Sequence, residues 1–213
     1  MLDLAGEGIA QERSIDGRPA GATREQWIQR GLAGAAGVAS GAILAGGFAS
    51  LASSAAAGSQ DVAVLNFALA FEQLQAKFYA DAVRTLSLQG EWLQFAQVVG
   101  SHEQAHVAFL RRALGHAAKP VSLKLSHPPT DLAAFQRLAI TLEDLGVALY
   151  NGQAANVSKA VLAHAAEIVS VEARHASWAR DLAGLNPAPA ATDDPASVTQ
   201  VQARLKSAGV SVG

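Results

Sequence analysis

A short pattern occurs twice in this chain, as Glu103-Gln-Ala-His106 and as Glu172-Ala-Arg-His175. Residues three apart on a helix share a face, one turn from each other, so a Glu and a His at that spacing can hold the same metal ion. Each copy also follows a lone glutamate by about the length of a helical hairpin. Glu72 stands thirty-one residues before Glu103, and Glu143 twenty-nine before Glu172. One Glu from each of two helices and a Glu-x-x-His from each of two others make a six-donor set, that of a di-iron or di-manganese centre inside a four-helix bundle. All six residues must then meet at one depth, which leaves the chain little freedom of fold.

The repeat extends beyond the donors. Tyr79 and Tyr150 each follow the lone glutamate by seven residues, two turns along the same face. Ser101, Phe109, Arg111 and Gly115 line up with Ser170, Trp178, Arg180 and Gly184. The two halves therefore read as one duplicated helical hairpin. After Ala57 the chain has six glutamates; four occupy the donor positions, and Glu91 and Glu167 do not. Buried carboxylates without a cation cost several kcal/mol each in desolvation, so four converging in a core require a metal.

Composition narrows the partners. The chain has no cysteine, which excludes disulfides, thiolate metal sites and a lipid-modified cysteine anchor. A formal charge of -2 gives neither a basic nor a strongly acidic field, so nucleic acid is not expected as a partner.

Residues 1–22 are rich in Gly and charge without periodicity and are expected to be disordered. Arg24 and Arg30 then precede an uncharged run from Gly31 to Ala57 that ends in Ala55-Ala56-Ala57 before Gly58. A basic segment, an apolar run and small residues before a cleavage point make an export signal. The run resembles a twin-arginine signal, except that Glu25 stands where the second arginine belongs. It is also long enough to span a bilayer, so a membrane anchor through residues 31–57 is an alternative, as is a buried Ala-rich helix. The long stretch before Arg24 also admits a start set too early.

From Ser59 the period becomes helical. The first helix is expected over about Ser59 to Leu86, ending near Gln89-Gly90, and the second over about Glu91 to Leu114, stopped by Gly115. Lys119-Pro120 and His127-Pro128-Pro129 forbid helix in His116 to Pro129. Fourteen residues reach about 45 Å when extended, enough to cross the bundle from end to end. A third helix, capped by Thr130 or Asp131, is expected to run to Tyr150 and break at Asn151-Gly152; a fourth covers about Ala155 to Leu182. The midpoint between Glu72 and the first Glu-x-x-His falls near Leu88, inside the first expected turn. The corresponding midpoint of the second hairpin falls near Ser158, a little past its expected turn. Residues 186–195 read as a Pro-rich linker and Ala196 to Ala208 as a short amphipathic helix.

Other residues are weaker candidates. One step along a helix turns about 100°, so His102 and Asp144, beside the donors, are expected to face neighbours or solvent. His164 reads as a core histidine or one behind a ligand, and His116 and His127 as solvated. Phe109 and Trp178, one turn after each histidine, are expected to wall the site. Tyr79 and Tyr150 are open between core packing and hydrogen-bonding a ligand carboxylate or relaying an electron.

On these residues the chain resembles the ferritin-like superfamily, in particular exported ferritin-like domain proteins with a twin-arginine-type leader, and it is similar to desiccation-related ferritin-like proteins. The resemblance covers about Ser59 to Gly184. It implies an all-α ferritin-like four-helix bundle with a long crossover between the second and third helices. It also implies that Glu72, Glu103 and His106 serve one metal and Glu143, Glu172 and His175 the other, with Glu103 and Glu172 bridging. The cofactors would be two iron ions, two manganese ions or a mixed pair. The chemistry would be that of an oxidoreductase outside the cytoplasm, in the cell envelope or beyond, acting on ferrous iron, peroxide or dioxygen. A non-catalytic, metal-stabilised helical module for stress protection is the alternative, and self-association into a homo-oligomer stays open.

Overall fold

Four long helices carry the structure, a computed structural model that describes residues 58–212. The disordered leader, export signal and membrane anchor expected within residues 1–57 lie outside the described residues. The helices are α1 (Ser59–Thr85), α2 (Gly90–Leu114), α3 (Leu132–Gln153) and α4 (Lys159–Leu182). Only residues 86–89 separate α1 from α2, and a connection that short makes the two helices antiparallel neighbours. A 3-10 turn, Gly115–Ala117, opens the crossover, which the prolines keep free of α-helix up to Asp131. Asn66 of α1 ties it down, donating to Ala117 O at 2.9 Å and accepting from Lys119 N at 2.5 Å. In the bundle α1 packs on α2 and α3, and α4 on α3 and α2.

Helix ends follow local chemistry. Asp131 caps α3 by accepting from Ala134 N at 2.8 Å, and Ser158 caps α4 by accepting from Val161 N at 3.5 Å. Each cap satisfies a backbone donor that the first helical turn leaves without a partner. Gly115 at φ +52° closes α2, and Gly184 at φ +71° follows α4, so the repeat also reaches the C-terminal caps.

The turn between the third and fourth helices differs from the sequence expectation. Asn151-Gly152 does not break the third helix, which runs on to Gln153 and is followed by a 3-10 turn over Ala154–Asn156. A glycine inside a helix costs about 1 kcal/mol against alanine. Here it makes room for another backbone: a Cβ on Gly152 would stand 1.9 Å from Ala196 O. The fourth helix starts at Lys159 rather than near Ala155, so Ser158, the midpoint of the second hairpin, falls at the last residue of the displaced turn. Asp61 of α1 pins this turn by accepting from Ser158 N at 2.9 Å.

The C-terminal segment is more than a linker and a helix. Ala196 donates its N–H to Ala148 O of α3 at 2.9 Å, and a capping box of Ser197 and Gln200 starts helix α5 (Val198–Ser207). Ala196, Val201, Leu205 and Val210 are buried in the bundle core. Beyond α5, strand β2 (Val210–Val212) pairs antiparallel with β1 (Leu123–Leu125) of the crossover, Leu125 opposite Val210. Strands of three residues carry too little periodicity to be read from sequence.

The core divides in two. A large aromatic cluster holds Phe71, Phe78, Tyr79, Trp92, Phe95, Phe135 and Leu142. A smaller, mostly aliphatic one holds Leu65, Leu69, Phe109, Leu110, Tyr150, Val161 and Ile168. Each contains one of the two repeated tyrosines.

Candidate metal centre

The four helices bring Glu72, Glu103, His106, Glu143, Glu172 and His175 into one buried cluster. All four glutamates are at 0% exposure, and the two histidines are at 8% and 3%. The donors fall into two overlapping groups of four: Glu72, Glu103, His106 and Glu172, and Glu103, Glu143, Glu172 and His175. Within each group one donor atom per residue can be chosen so that all lie within 4.8 Å of one another. Glu103 and Glu172 belong to both groups, so the two Glu-x-x-His glutamates are the ones placed to be shared.

The arrangement fits two cations. Donors bound to one ion at about 2.1 Å and at right angles stand about 3.0 Å apart. His175 Nδ1 lies 3.1 Å from Glu103 Oε1 and 3.2 Å from Glu143 Oε2. His106 Nδ1 lies 3.2 Å from Glu72 Oε2, 3.1 Å from Glu103 Oε2 and 3.2 Å from Glu172 Oε1. Glu103 Oε1, Glu143 Oε2, both oxygens of Glu172 and His175 Nδ1 are buried with no hydrogen-bond partner. So many orphaned acceptors facing one another cost several kcal/mol unless a cation satisfies them. Charge closes as well, since four carboxylates with two neutral imidazoles balance two divalent ions.

Electrostatics without a cation express the same strain. Burial, and then the charge of Glu72, raises Glu103 well above its ordinary value; burial, and then the charge of Glu103, does the same to Glu172. Burial also acts to raise Glu72, but the hydrogen bond and positive charge of His106 outweigh it and leave that carboxyl lowered. Burial opposes charge on His106, yet bonds to Glu103, Glu172 and Glu72 raise it strongly. Protons therefore stand in for cations at this cluster.

The tyrosines cross between the hairpins. Tyr79 of α1 donates to Glu143 Oε1 on α3, and Tyr150 of α3 donates to Glu72 Oε1 on α1 at 2.5 Å. Each phenol ties up the outer oxygen of a carboxylate and leaves the other for the centre. Burial, and then the partner carboxylate, raises both tyrosines, so both stay protonated donors.

The remaining candidates are placed as follows. Asp144 accepts from Arg180 at 2.7 Å, and burial outweighs that charge and raises its carboxyl to about 6. His102, at the surface of α2, puts Nδ1 2.9 Å from His175 Nε2. Burial of its inner part, followed by the positive charges around it, lowers His102 to about 4. His164 packs against Phe109 with ring centres 5.4 Å apart and belongs to neither donor group; His116 and His127 are exposed. Trp178 packs on Phe95, which in turn packs on Tyr79, so this tryptophan stands one layer behind a tyrosine.

Two residues behind the ligands were not singled out from the sequence. Gln75 is fully buried and donates Nε2 to Glu143 Oε1 at 3.1 Å. Gly146 lets the Glu172 carboxylate lie against α3, since a Cβ there would stand 2.5 Å from Oε2. Both lie three residues after a lone glutamate on a helix, so a check of that spacing would have found them. A groove of about 890 Å³ also runs between α4 and residues 187–194, lined by Arg174, Trp178 and Arg180.

A family model described as a ferritin-like domain matches residues 60–185, more than half of the chain. No curated protein matches it.

Proposed function

The chain belongs to the ferritin-like domain family, and from that premise we propose that it is an exported dimetal-carboxylate oxidoreductase acting on ferrous iron, peroxide or dioxygen. The observation that carries this reading is the buried set of four glutamates and two histidines, with five donor atoms left without a hydrogen-bond partner. Two adjacent iron or manganese ions, when bound, supply the electrons that reduce dioxygen or peroxide, or accept them from ferrous iron.

The residues of the chain would do the rest. Glu72 and His106 would hold one ion, Glu143 and His175 the other, with Glu103 and Glu172 between them. Tyr79 and Tyr150 would keep the outer carboxylates in orientation through their phenol protons. Complete burial of the glutamates restricts access to small molecules, which suits ions, dioxygen and peroxide. Export rests on the basic and apolar leader of residues 24–57.

Elemental mass spectrometry of the purified full chain, beside a Glu103→Ala/Glu172→Ala variant, tests the centre. About two iron or manganese ions per chain, absent from the variant, are expected; peroxide consumption and oxygen-dependent oxidation of ferrous iron are then assayed. Metal without turnover of either would leave a non-catalytic, metal-stabilised helical module. No bound metal in a folded wild-type chain would overturn the centre itself.

A further inference from the structure

The two ion positions share Glu103 and Glu172 but differ in what stands behind their outer ligands. Gln75, three residues after Glu72, donates to Glu143; Gly146, three residues after Glu143, has no side chain to return the bond to Glu72. His102, the residue before Glu103, meets His175 Nε2 at 2.9 Å, with the two ring planes 17° apart. Val171, the residue before Glu172, offers no polar atom to His106. Both departures from the two-fold pattern favour the same position, that of Glu143 and His175.

The inner nitrogens face the acids alike, His106 Nδ1 at 3.1–3.2 Å from Glu72, Glu103 and Glu172 and His175 Nδ1 at 3.1–3.2 Å from Glu103 and Glu143. The difference lies at the outer nitrogens. An imidazole binds a cation through a bare nitrogen, and its proton must then sit on the other one. With His102 Nδ1 as acceptor, the proton of His175 is held on Nε2 and Nδ1 is left free. Among the described residues no hydrogen bond of this kind holds His106 Nε2.

Resting on the dimetal reading, we propose that the position of Glu143 and His175 is preformed and fills first, and that His102 is the positioning residue that makes it so. The position of Glu72 and His106, where Gly146 and Val171 stand in place of such partners, fills second.

Anaerobic titration of the metal-free full chain with cobalt(II), followed by visible absorption, separates the two steps. Wild type is expected to take up two ions per chain in two resolved steps. His102→Val, which copies Val171, should weaken the first step about 10–100-fold, the usual effect of removing a partner behind a metal ligand. His102→Asn keeps an acceptor oxygen and should restore it. Because His102 lies at the surface, both variants should keep the wild-type circular dichroism. Two equal steps in wild type, or a His102→Val chain with both steps unchanged, would overturn the proposal and leave the dimetal centre intact. No cobalt uptake by wild type would overturn both.

Discussion

The Tyr79 end and the Tyr150 end of the centre are related by the repeat, yet they are built from different material. Around Tyr79 the packing is aromatic: Phe78, Phe95 and Phe135 lie with ring centres 4.9, 5.8 and 6.1 Å away. Around Tyr150 it is mainly aliphatic, with Leu65, Phe109, Val161, Ile168 and His164 lining a cavity of about 20 Å³. The ligand geometry keeps the two-fold pattern and the packing does not. Six residues that could hold metal ions have to meet within a few ångströms of one another, whereas a core accepts any set of side chains that fills its volume.

That contrast can be broken at the packing level, where the largest effect is expected. Phe135 is at 0% exposure and its ring contacts Phe78, Tyr79 and Trp92. Phe135→Ala should cost about 3–5 kcal/mol in urea unfolding, the usual loss for a buried aromatic. Phe109→Ala, at the looser end beside a cavity, should cost less. Equal losses would mean that the two ends are equally well packed.

The next effect sharpens the contrast at the ligands. Tyr150→Phe leaves Glu72 Oε1 without its donor, while Tyr79→Phe leaves Glu143 Oε1 with Gln75. A hydrogen bond to a charged group contributes about 1.5–3 kcal/mol, so Tyr150→Phe should weaken metal binding by up to that amount and Tyr79→Phe by less. Calorimetric metal titration of the two variants would read the difference, and the reverse order would count against the role given to Gln75.

The smallest effect is a slope with pH. In the metal-free protein Glu103 and Glu172 titrate above their ordinary 4.5 and His106 above its ordinary 6.5. The folded chain therefore binds more protons than the unfolded one above pH 4.5, so its stability should fall as pH rises toward neutrality and beyond. Glu72, lowered in the folded state, acts in the opposite sense below pH 4.5, and His102, lowered to about 4, does so up to about pH 6.5, against the three raised groups. Metal binding displaces those protons, so the gain in melting temperature on loading should grow over the same range. Thermal melts at several pH values, with and without metal, would show the two slopes diverging.

Read as a linear pattern, the residues were enough for the four helices, the crossover and the convergence of the six Glu and His residues in one buried cluster. Helical period, glycine and proline stops and the Glu-x-x-His spacing are all local, and equal distance from a hairpin turn brings paired residues to one depth. The cap of the third helix was legible to within one residue, Thr130 or Asp131, and Gly115 as a stop for the same reason. Only the tertiary structure decided which partner each side chain meets across helices. That Tyr79 reaches Glu143 rather than Glu72, that Gln75 joins it, and that His102 turns back onto His175 depend on how the second hairpin sits against the first. It also decided that Gly152 stays helical, because the Ala196 backbone that needs the space arrives from forty-four residues further on. Contacts between distant segments leave no period in the chain, and so the partner that each supporting residue meets, unlike the common depth of the six Glu and His residues, became visible only in three dimensions.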